Sequence, residues 1–294
     1  MMQPNSPSRA VRFLRKSRSQ QAASLWTRFK RAWRWLMPTV PLLARLPGGG
    51  WWLVRDDVVG DAVFSGTFEL AETAFVRGFV QPGMTVFDVG ANAGYYTLMA
   101  SRMVGQQGRV IAFEPSPRER QRLLAHLRLN RCPNVRVEST ALSSSEGSTS
   151  FFVVSGRETG CNSIRPPDVA ESVEQITVPT ITLDRFLETS GIAAVDFMKL
   201  DVEGAELDVL RGGAAALQKR IRPVLLCELE VARTRPWGYE PEAILHCLSD
   251  LGYVWLGLDE AGRLVPMERR AGYNVVAVPT EKLERVCPGL GLPG

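Results

Sequence analysis

The sequence predicts an α/β protein with a doubly wound parallel sheet, carrying a basic helical extension at its N-terminus. Three observations support this. Between residues 86 and 251, short runs rich in Val, Ile, Leu and Phe alternate with helical stretches. The runs are nearly continuous in apolar character, as strands buried on both faces of a parallel sheet require. Charge is also divided: residues 1–55 hold eleven Lys/Arg and no Asp or Glu, while the rest hold 24 basic and 31 acidic residues, giving +11 and −7. An acidic body with a basic tail disfavours a uniformly basic nucleic-acid binder.

In chain order, residues 1–21 are rich in Ser, Arg and Gln and read as disordered. Residues 22–37 read as a helix, with Leu25, Trp26, Phe29, Ala32, Trp33, Leu36 and Met37 within one arc of roughly 140°. Arg28, Lys30, Arg31 and Arg34 lie opposite, with Trp35 among them. Pro38 and Pro41 end that helix, and Pro47–Gly50 reads as a linker or turn. The expected division is therefore an extension over 1–50 and a catalytic domain over 51–294. Strands are expected at Val86–Val89, Arg109–Phe113, Val135–Val137, Val195–Leu200 and Val224–Leu229. Helices are expected at Tyr95–Val104, Pro117–Asn130, Ala205–Lys219 and Glu240–Leu251. Residues 143–183 break the rhythm, with strands at Ser150–Val154 and Ile176–Pro179.

Five cysteines (Cys132, Cys161, Cys227, Cys247, Cys287) form no C-x-x-C pair, which suits reduced thiols in a cytoplasmic protein. The N-terminus lacks the apolar core of a signal peptide, and no apolar run reaches spanning length.

The chemistry concentrates at three strand ends. Val86–Leu98 is a strand, a small-residue turn and a helix, in which Gly90 and Gly94 allow close backbone approach to a ligand. The spacing is G-x-x-x-G, not the dinucleotide G-x-G-x-x-G, and Asp88 in the strand end would repel a pyrophosphate but suit a cation. Glu114 ends the next strand, 24 residues after Gly90, where a carboxylate reaches a ribose. Asp88 and Glu114 together suit S-adenosylmethionine, a positively charged nucleoside, better than NAD. Lys199, Asp201 and Glu203 follow a third strand and Glu228 ends the adjacent one, so several acids border one crevice. Asp201 or Glu203 is the expected base, with Glu228 orienting the acceptor, although helix capping by Asp201 or Glu203 is an alternative. Lys199 is expected in an ion pair with a neighbouring carboxylate. Asp201 and Glu228 also offer a divalent-cation pair, ranked behind the base role because such sites usually need substrate oxygens. His126 and His246 read as solvated surface residues, the arginines at 118, 120, 122, 128 and 131 as a solvated helix face, Cys161–Ser163 as a loop that covers an acceptor or is merely structural, and Cys227 as a buried inert thiol.

These motifs resemble those of the FkbM family of S-adenosylmethionine-dependent methyltransferases. The resemblance rests on V-F-D-V-G-A-N-A-G-Y-Y-T at 86–97, A-F-E-P at 112–115 and A-L-S-S-S-E-G at 141–147. It continues through V-P-T-I-T-L-D at 178–184, M-K-L-D-V-E-G-A-E at 198–206 and L-C-E at 226–228. It covers residues 67–279 and implies a seven-stranded class I methyltransferase sheet and O-methylation of a sugar or small-molecule hydroxyl. Carried over by motif, Asp88, Gly90, Asn92 and Gly94 would cradle the methionine part, Glu114 the ribose and Ala141 the adenine. Gly66-Thr-Phe-Glu69 also fits, which would place Glu69 in the cofactor pocket.

Two other classes remain open on sequence alone. A nucleic-acid methyltransferase would want an N-P-P-Y or nucleophilic-cysteine motif, and neither is present. A non-catalytic cofactor-binding protein or an NAD enzyme would share the sheet. The aromatic side of residues 25–37 is expected to dock on the domain, on a second subunit, or on anionic lipid, the last of which suits a lipid-linked acceptor.

Overall fold

The computed structural model describes residues 28–29, 32–33, 35–37, 40–270 and 272–288. Strands β1 (Leu43–Arg45) and β2 (Trp51–Leu53) form an antiparallel hairpin. Helices α1 (Val58–Ser65) and α2 (Leu70–Phe79) follow it. The main chain of the fold then runs β3 (Thr85–Val89), α3 (Tyr95–Val104), β4 (Arg109–Phe113), α4 (Pro117–Asn130) and β5 (Val135–Glu138). An insert of β6 (Ala141–Leu142), β7 (Gly147–Val154) and β8 (Val173–Ile181) forms a separate three-stranded sheet. The alternation resumes with α5 (Leu183–Ser190), β9 (Phe197–Leu200), α6 (Glu206–Gly212), β10 (Val224–Cys227), α7 (Val231–Thr234) and α8 (Glu242–Asp250). Strands β11 (Tyr253–Leu258), β12 (Leu264–Val265) and β13 (Val275–Pro279) and helix α9 (Leu283–Val286) complete it.

The large sheet has the order β12-β11-β13-β10-β9-β3-β4-β5. From β10 to β5 all neighbours are parallel, whereas β13 runs antiparallel between β10 and β11. The expected seven strands are thus present, with the two-residue β12 added at one edge. Strand order reverses at β3, so a crevice opens beyond the carboxyl ends of β3, β4 and β9, where ligands bind in open α/β sheets. Side chains alternate between two cores: Val86 and Ala112 face one, Phe87, Val89, Ile111 and Phe113 the other. Cys227 is fully buried in β10 and its thiol is pushed well above the usual range by that burial, as an inert core residue should be.

Local chemistry sets the helix ends around the crevice. Ser116 caps α4 by accepting from Glu119 N–H, and Pro117 occupies the first turn. The expected long helix over 205–219 ends at Gly212, where a Cβ would lie 2.0 Å from Ser143 O, and a π-turn over Ala216–Arg220 follows. Close approach of the insert therefore requires a residue that also weakens the helix.

The hairpin crosses the division expected between residues 50 and 51. Ala44, Leu46 and Trp52 are buried in the domain core, and Asn130 of α4 clamps Trp51 through both its N–H and its C=O at 2.7 Å. This hairpin also corrects the reading of His126. That residue is 2% exposed and its ring stacks on Trp52 at 4.0 Å. Its Nδ1 lies 2.8 Å from Ala93 O, and Nε2 accepts from Leu53 N–H at 3.0 Å, which fixes a neutral ring with the proton on Nδ1. His126 sits off the Leu123/Leu127 stripe, but the hairpin supplies the cover that the helical pattern lacks. His246 is exposed, as expected.

The arginine face is corrected in part. Arg118 bonds Glu119 and Val154 O, Arg120 donates to Glu114 O and Pro115 O, and Arg122 pairs with Glu119 and Asp57. Arg128 and Arg131 are exposed. Buried Glu119 and the strand-end carbonyls draw the first three inward.

Burial holds the His126 ring below its ordinary pKa, against the backbone contacts at Ala93 and Leu53. Folding therefore favours the neutral ring, and stability is expected to fall as pH drops below about 6.5, the unperturbed histidine value. Urea unfolding at several pH values should show this loss, and His126→Ala should abolish it while costing about 1–3 kcal/mol at neutral pH for the stranded partners.

Candidate active site

The turn after β3 is shaped by backbone crowding. At Gly90, with φ +83°, a Cβ would sit 1.8 Å from Asp201 O, so only glycine lets β3 and β9 approach this closely. Asn92 has φ 49°, a left-handed conformation that asparagine tolerates, and its amide donates to Thr159 O at 3.0 Å, tying the turn to the insert. A Cβ on Gly94 would meet the Leu123 side chain at 2.3 Å, and α3 begins directly after it.

Carboxylates surround this turn. Glu114 is buried and accepts from Asn92 N–H at 2.7 Å and Ser116 N–H at 2.8 Å. Burial pushes its carboxyl up to about 8, against the pull of those two donors. Asp88 is 2% exposed; Thr97 donates to one of its oxygens, while Oδ1 is buried without a hydrogen-bond partner. Glu69, at the head of α2, accepts from Tyr96 O–H at 2.5 Å, and burial pushes it up to about 7.

Lys199 faces Glu69, Asp88 and Asp201. The residue is 5% exposed, and its ammonium lies 2.5 Å from Asp201 and 4.7 Å from the Tyr96 ring centroid. Burial opposes its charge, yet Asp201, Glu69 and Asp88 together hold it above the ordinary lysine value.

A cavity of about 160 Å³ joins these groups. Its lining includes Glu69, Asp88, Gly90, Asn92, Gly94, Glu114, Ala141, Lys199, Asp201 and Glu203. Ala141 lies in β6 of the insert sheet, not at the end of β5, and reaches the cavity from there with Leu142 and Phe151. Those side chains and Phe113 give the cavity an apolar wall suited to a flat base.

Glu228 does not line this cavity, but its carboxylate approaches those of Asp201 and Glu203, with one oxygen from each within 4.8 Å of the others. Glu203 has φ 56° and pairs with Arg233 at 2.8 Å. Burial and Asp201 raise its carboxyl well above the usual range, and Arg233 pulls the other way. Burial, Asp201 and Glu203 likewise raise Glu228, whose Oε2 is buried without a hydrogen-bond partner. The capping alternative is not met, because α6 has no side-chain cap. Glu206, its first residue, accepts from Val202 N–H at 2.9 Å and Gly204 N–H at 3.3 Å in the turn before it, and Asp201 and Glu203 line the crevice.

Sequence reasoning gave no role to Tyr96, Trp52, Arg233 or Thr159. Tyr96 follows Gly94 by two residues and could have been found as an aromatic at the first turn of α3. The others arrive from the hairpin, α7 and the insert, and no local pattern marks them.

A family model described as the Methyltransferase FkbM domain matches residues 88–255, spanning the cavity turn, the insert and β9 to β11. The chain belongs to the FkbM methyltransferase family. Against the 31-O-demethyl-FK506 methyltransferase FkbM of Streptomyces tacrolimicus it is 30% identical over 212 residues, 62% of this chain and 79% of that protein. Against the hexuronic acid methyltransferase AglP of Haloferax volcanii it is 31% identical over 134 residues, 45% of this chain and 51% of that protein. Against the 2-O-methyltransferase NoeI of Sinorhizobium fredii it is 29% identical over 153 residues, 47% of this chain and 61% of that protein. The match to AglP thus spans about half the length of that relative.

The residues present fit the cofactor that an FkbM methyltransferase implies. Five carboxylates (Glu69, Asp88, Glu114, Asp201, Glu203) line the cavity with the Lys199 ammonium, and Asp88 Oδ1 is buried without a hydrogen-bond partner. A ligand with a sulfonium, an ammonium and a ribose would offset that excess, whereas a pyrophosphate would add to it.

Proposed function

We propose that this protein transfers the methyl group of S-adenosylmethionine to a hydroxyl oxygen of a sugar or other small-molecule acceptor. The observation that carries the reading is the acidic cavity beside the Gly90–Gly94 turn, with its orphaned Asp88 oxygen. Asp88 and Glu69 receive the ammonium, Glu114 accepts from the ribose hydroxyls, and the α3 N-terminus lies beside the methionine carboxylate. Ala141 borders the adenine.

The cofactor supplies an activated methyl group on a positively charged sulfur. The protein holds the acceptor oxygen in line with it and removes the hydroxyl proton. Of Asp201 and Glu203, which both line the cofactor cavity, Glu203 takes that proton in this reading, because Lys199 occupies Asp201. Glu228, with a carboxylate oxygen within 4.8 Å of those of Asp201 and Glu203, orients the acceptor in this reading. Asp201, Glu203 and Glu228 also have the grouping of a divalent-cation site, but Lys199 and Arg233 already offset two of their charges.

Two relatives act by name on a hexuronic acid and on 31-O-demethyl-FK506. The −7 charge of residues 56–294 weighs against nucleic acid as the acceptor. Titration calorimetry with S-adenosylhomocysteine and with NAD tests the reading: the first should bind and the second should not. Binding of NAD alone would overturn it.

No helix among the described residues is long and apolar enough to cross a membrane. The five cysteines are all unbridged, which favours a cytoplasmic setting. Part of the helix expected over 22–37 lies outside the described residues. Of the rest, Arg28, Phe29, Ala32, Trp33, Trp35 and Leu36 are helical, with Trp35 82% and Leu36 67% exposed. We assign this segment to an anionic lipid surface, given its neighbouring arginines. Flotation with vesicles containing phosphatidylserine should retain the full chain and release one starting at Val40, which keeps the hairpin intact. Equal behaviour of the two chains would exclude the lipid role, and a concentration-dependent dimer lost with the segment would assign it to a second copy.

A further inference from the structure

We infer that the acceptor sits in a second cavity that adjoins the first at Glu203, and that this cavity is built for one glycosyl ring stacked on Trp237. The inference rests on the methyltransferase reading above and places its substrate. The second cavity, of about 150 Å³, lies between the insert stretch from Cys161 to Asp168 and the α7 segment from Ala232 to Trp237. Glu203 lines both cavities, so a hydroxyl presented from the second reaches the carboxylate that borders the cofactor.

Both walls are held in place. Arg233 of α7 pairs with Glu203 at 2.8 Å and donates to Cys161 Sγ at 3.4 Å, bridging the two walls across the floor. Ser163 Oγ donates to Glu203 O at 2.9 Å, fixing the insert to the same turn. A Cβ on Gly204 would lie 2.6 Å from Trp237 Nε1, so the indole is pressed against that turn and presents a defined surface. These contacts place an aromatic plane beside the proposed base without using a flexible loop tip.

The chemistry of the lining selects the ligand class. A pyranose has an apolar C–H face and a rim of hydroxyls. Trp237 offers the plane for the face, while Arg165, Arg233 and Asp168 offer planar donors and acceptors for the rim. Arg165 lies with Cζ 4.6 Å from the indole centroid and is exposed, so an incoming ring exchanges with one surface cation–π contact. An extended apolar acceptor would have to bury Arg165, Asp168, Glu203 and Arg233 without pairing them. A polyanion would meet Asp168 and Glu203 alongside the two arginines.

The test is saturation-transfer NMR of methyl glucoside, methyl rhamnoside and methyl glucuronoside with the full-length protein saturated with S-adenosylhomocysteine. Ring-proton signals are expected from at least one glycoside. Trp237→Ala should weaken that glycoside by about tenfold, whereas Trp237→Phe keeps an aromatic face and stays within about threefold of wild type. Arg165→Ala, at an exposed position, should alter the preference for the glucuronoside over the neutral glycosides without loss of folding. S-adenosylhomocysteine affinity should stay within about twofold in all three variants, since none touches the first cavity. Absence of signal from every glycoside, or equal signal from wild type and Trp237→Ala, would overturn the assignment. Failure of the wild type to bind S-adenosylhomocysteine would instead overturn the methyltransferase reading, and it is visible before any glycoside is added.

Discussion

Glu114→Gln should weaken binding of S-adenosylhomocysteine by about ten- to a hundred-fold, because charge-assisted hydrogen bonds are worth about 1.5–3 kcal/mol. The wild-type carboxylate holds two backbone N–H groups, from Asn92 and Ser116, and keeps lone pairs for the two ribose hydroxyls. Glutamine offers only one acceptor oxygen, so its NH2 must face either a backbone donor or the ribose. The same substitution should change the pH dependence. Burial raises Glu114 to about 8 from 4.5, so the cofactor-free fold keeps a proton there that the unfolded chain has lost. That contribution to stability is full below 4.5 and is lost as pH rises through about 8. Ligand binding runs the opposite way, since the ribose needs the ionised form. Affinity should therefore rise with pH up to about 8, and Glu69, raised to about 7, adds to the slope below that point. Glu114→Gln should flatten the upper part of this rise in a calorimetric series. A variant that binds as tightly as wild type, with the same pH slope, would remove Glu114 from the ribose site.

The parts of the molecule legible in the sequence are those where backbone geometry restricts residue type within a few positions. Asp88, Gly90, Asn92 and Gly94 belong to one strand–turn–helix, and each has a local reason visible as spacing. Glu114 could be placed because a strand end in a parallel sheet points to the crevice whatever follows it, whereas Glu228, read by the same rule, stands beside Asp201 and Glu203 but outside the cavity lining. Groups brought in from elsewhere were not legible. His126 looked solvated because the helical pattern of α4 contains no trace of the hairpin that covers it. Arg233 and Trp237 follow a strand by several residues in short turns, and no periodicity marks which side they take. The insert was recognised as a break in rhythm, yet its role in lining both cavities depends on how its small sheet packs, which its own residues do not encode. That Glu206, not Asp201 or Glu203, holds the N–H groups of the turn before α6 is likewise a choice among three nearby acids that only the turn geometry decides.

Glu203→Gln should lower kcat by about 10²- to 10⁴-fold while leaving S-adenosylhomocysteine affinity intact, as loss of a positioned base does. Asp201→Asn should behave differently. Asp201 holds the Lys199 ammonium at 2.5 Å, and its removal leaves that buried cation with Glu69 and Asp88, the groups proposed for the cofactor ammonium. Cofactor affinity should then fall together with turnover, so the two variants separate a base from a positioning residue. The pH profile adds an independent sign. Burial and Asp201 raise the Glu203 carboxyl and Arg233 lowers it, so turnover should climb with pH as this proton leaves. Arg233→Gln removes the lowering charge and should move the climbing limb to higher pH, whereas a purely structural Arg233 would reduce activity equally at every pH. Full turnover in Glu203→Gln with a true acceptor would assign the proton elsewhere. Glu228 would then be the group to test, since its buried Oε2 has no hydrogen-bond partner and, among the described residues, its carboxylate forms no salt bridge.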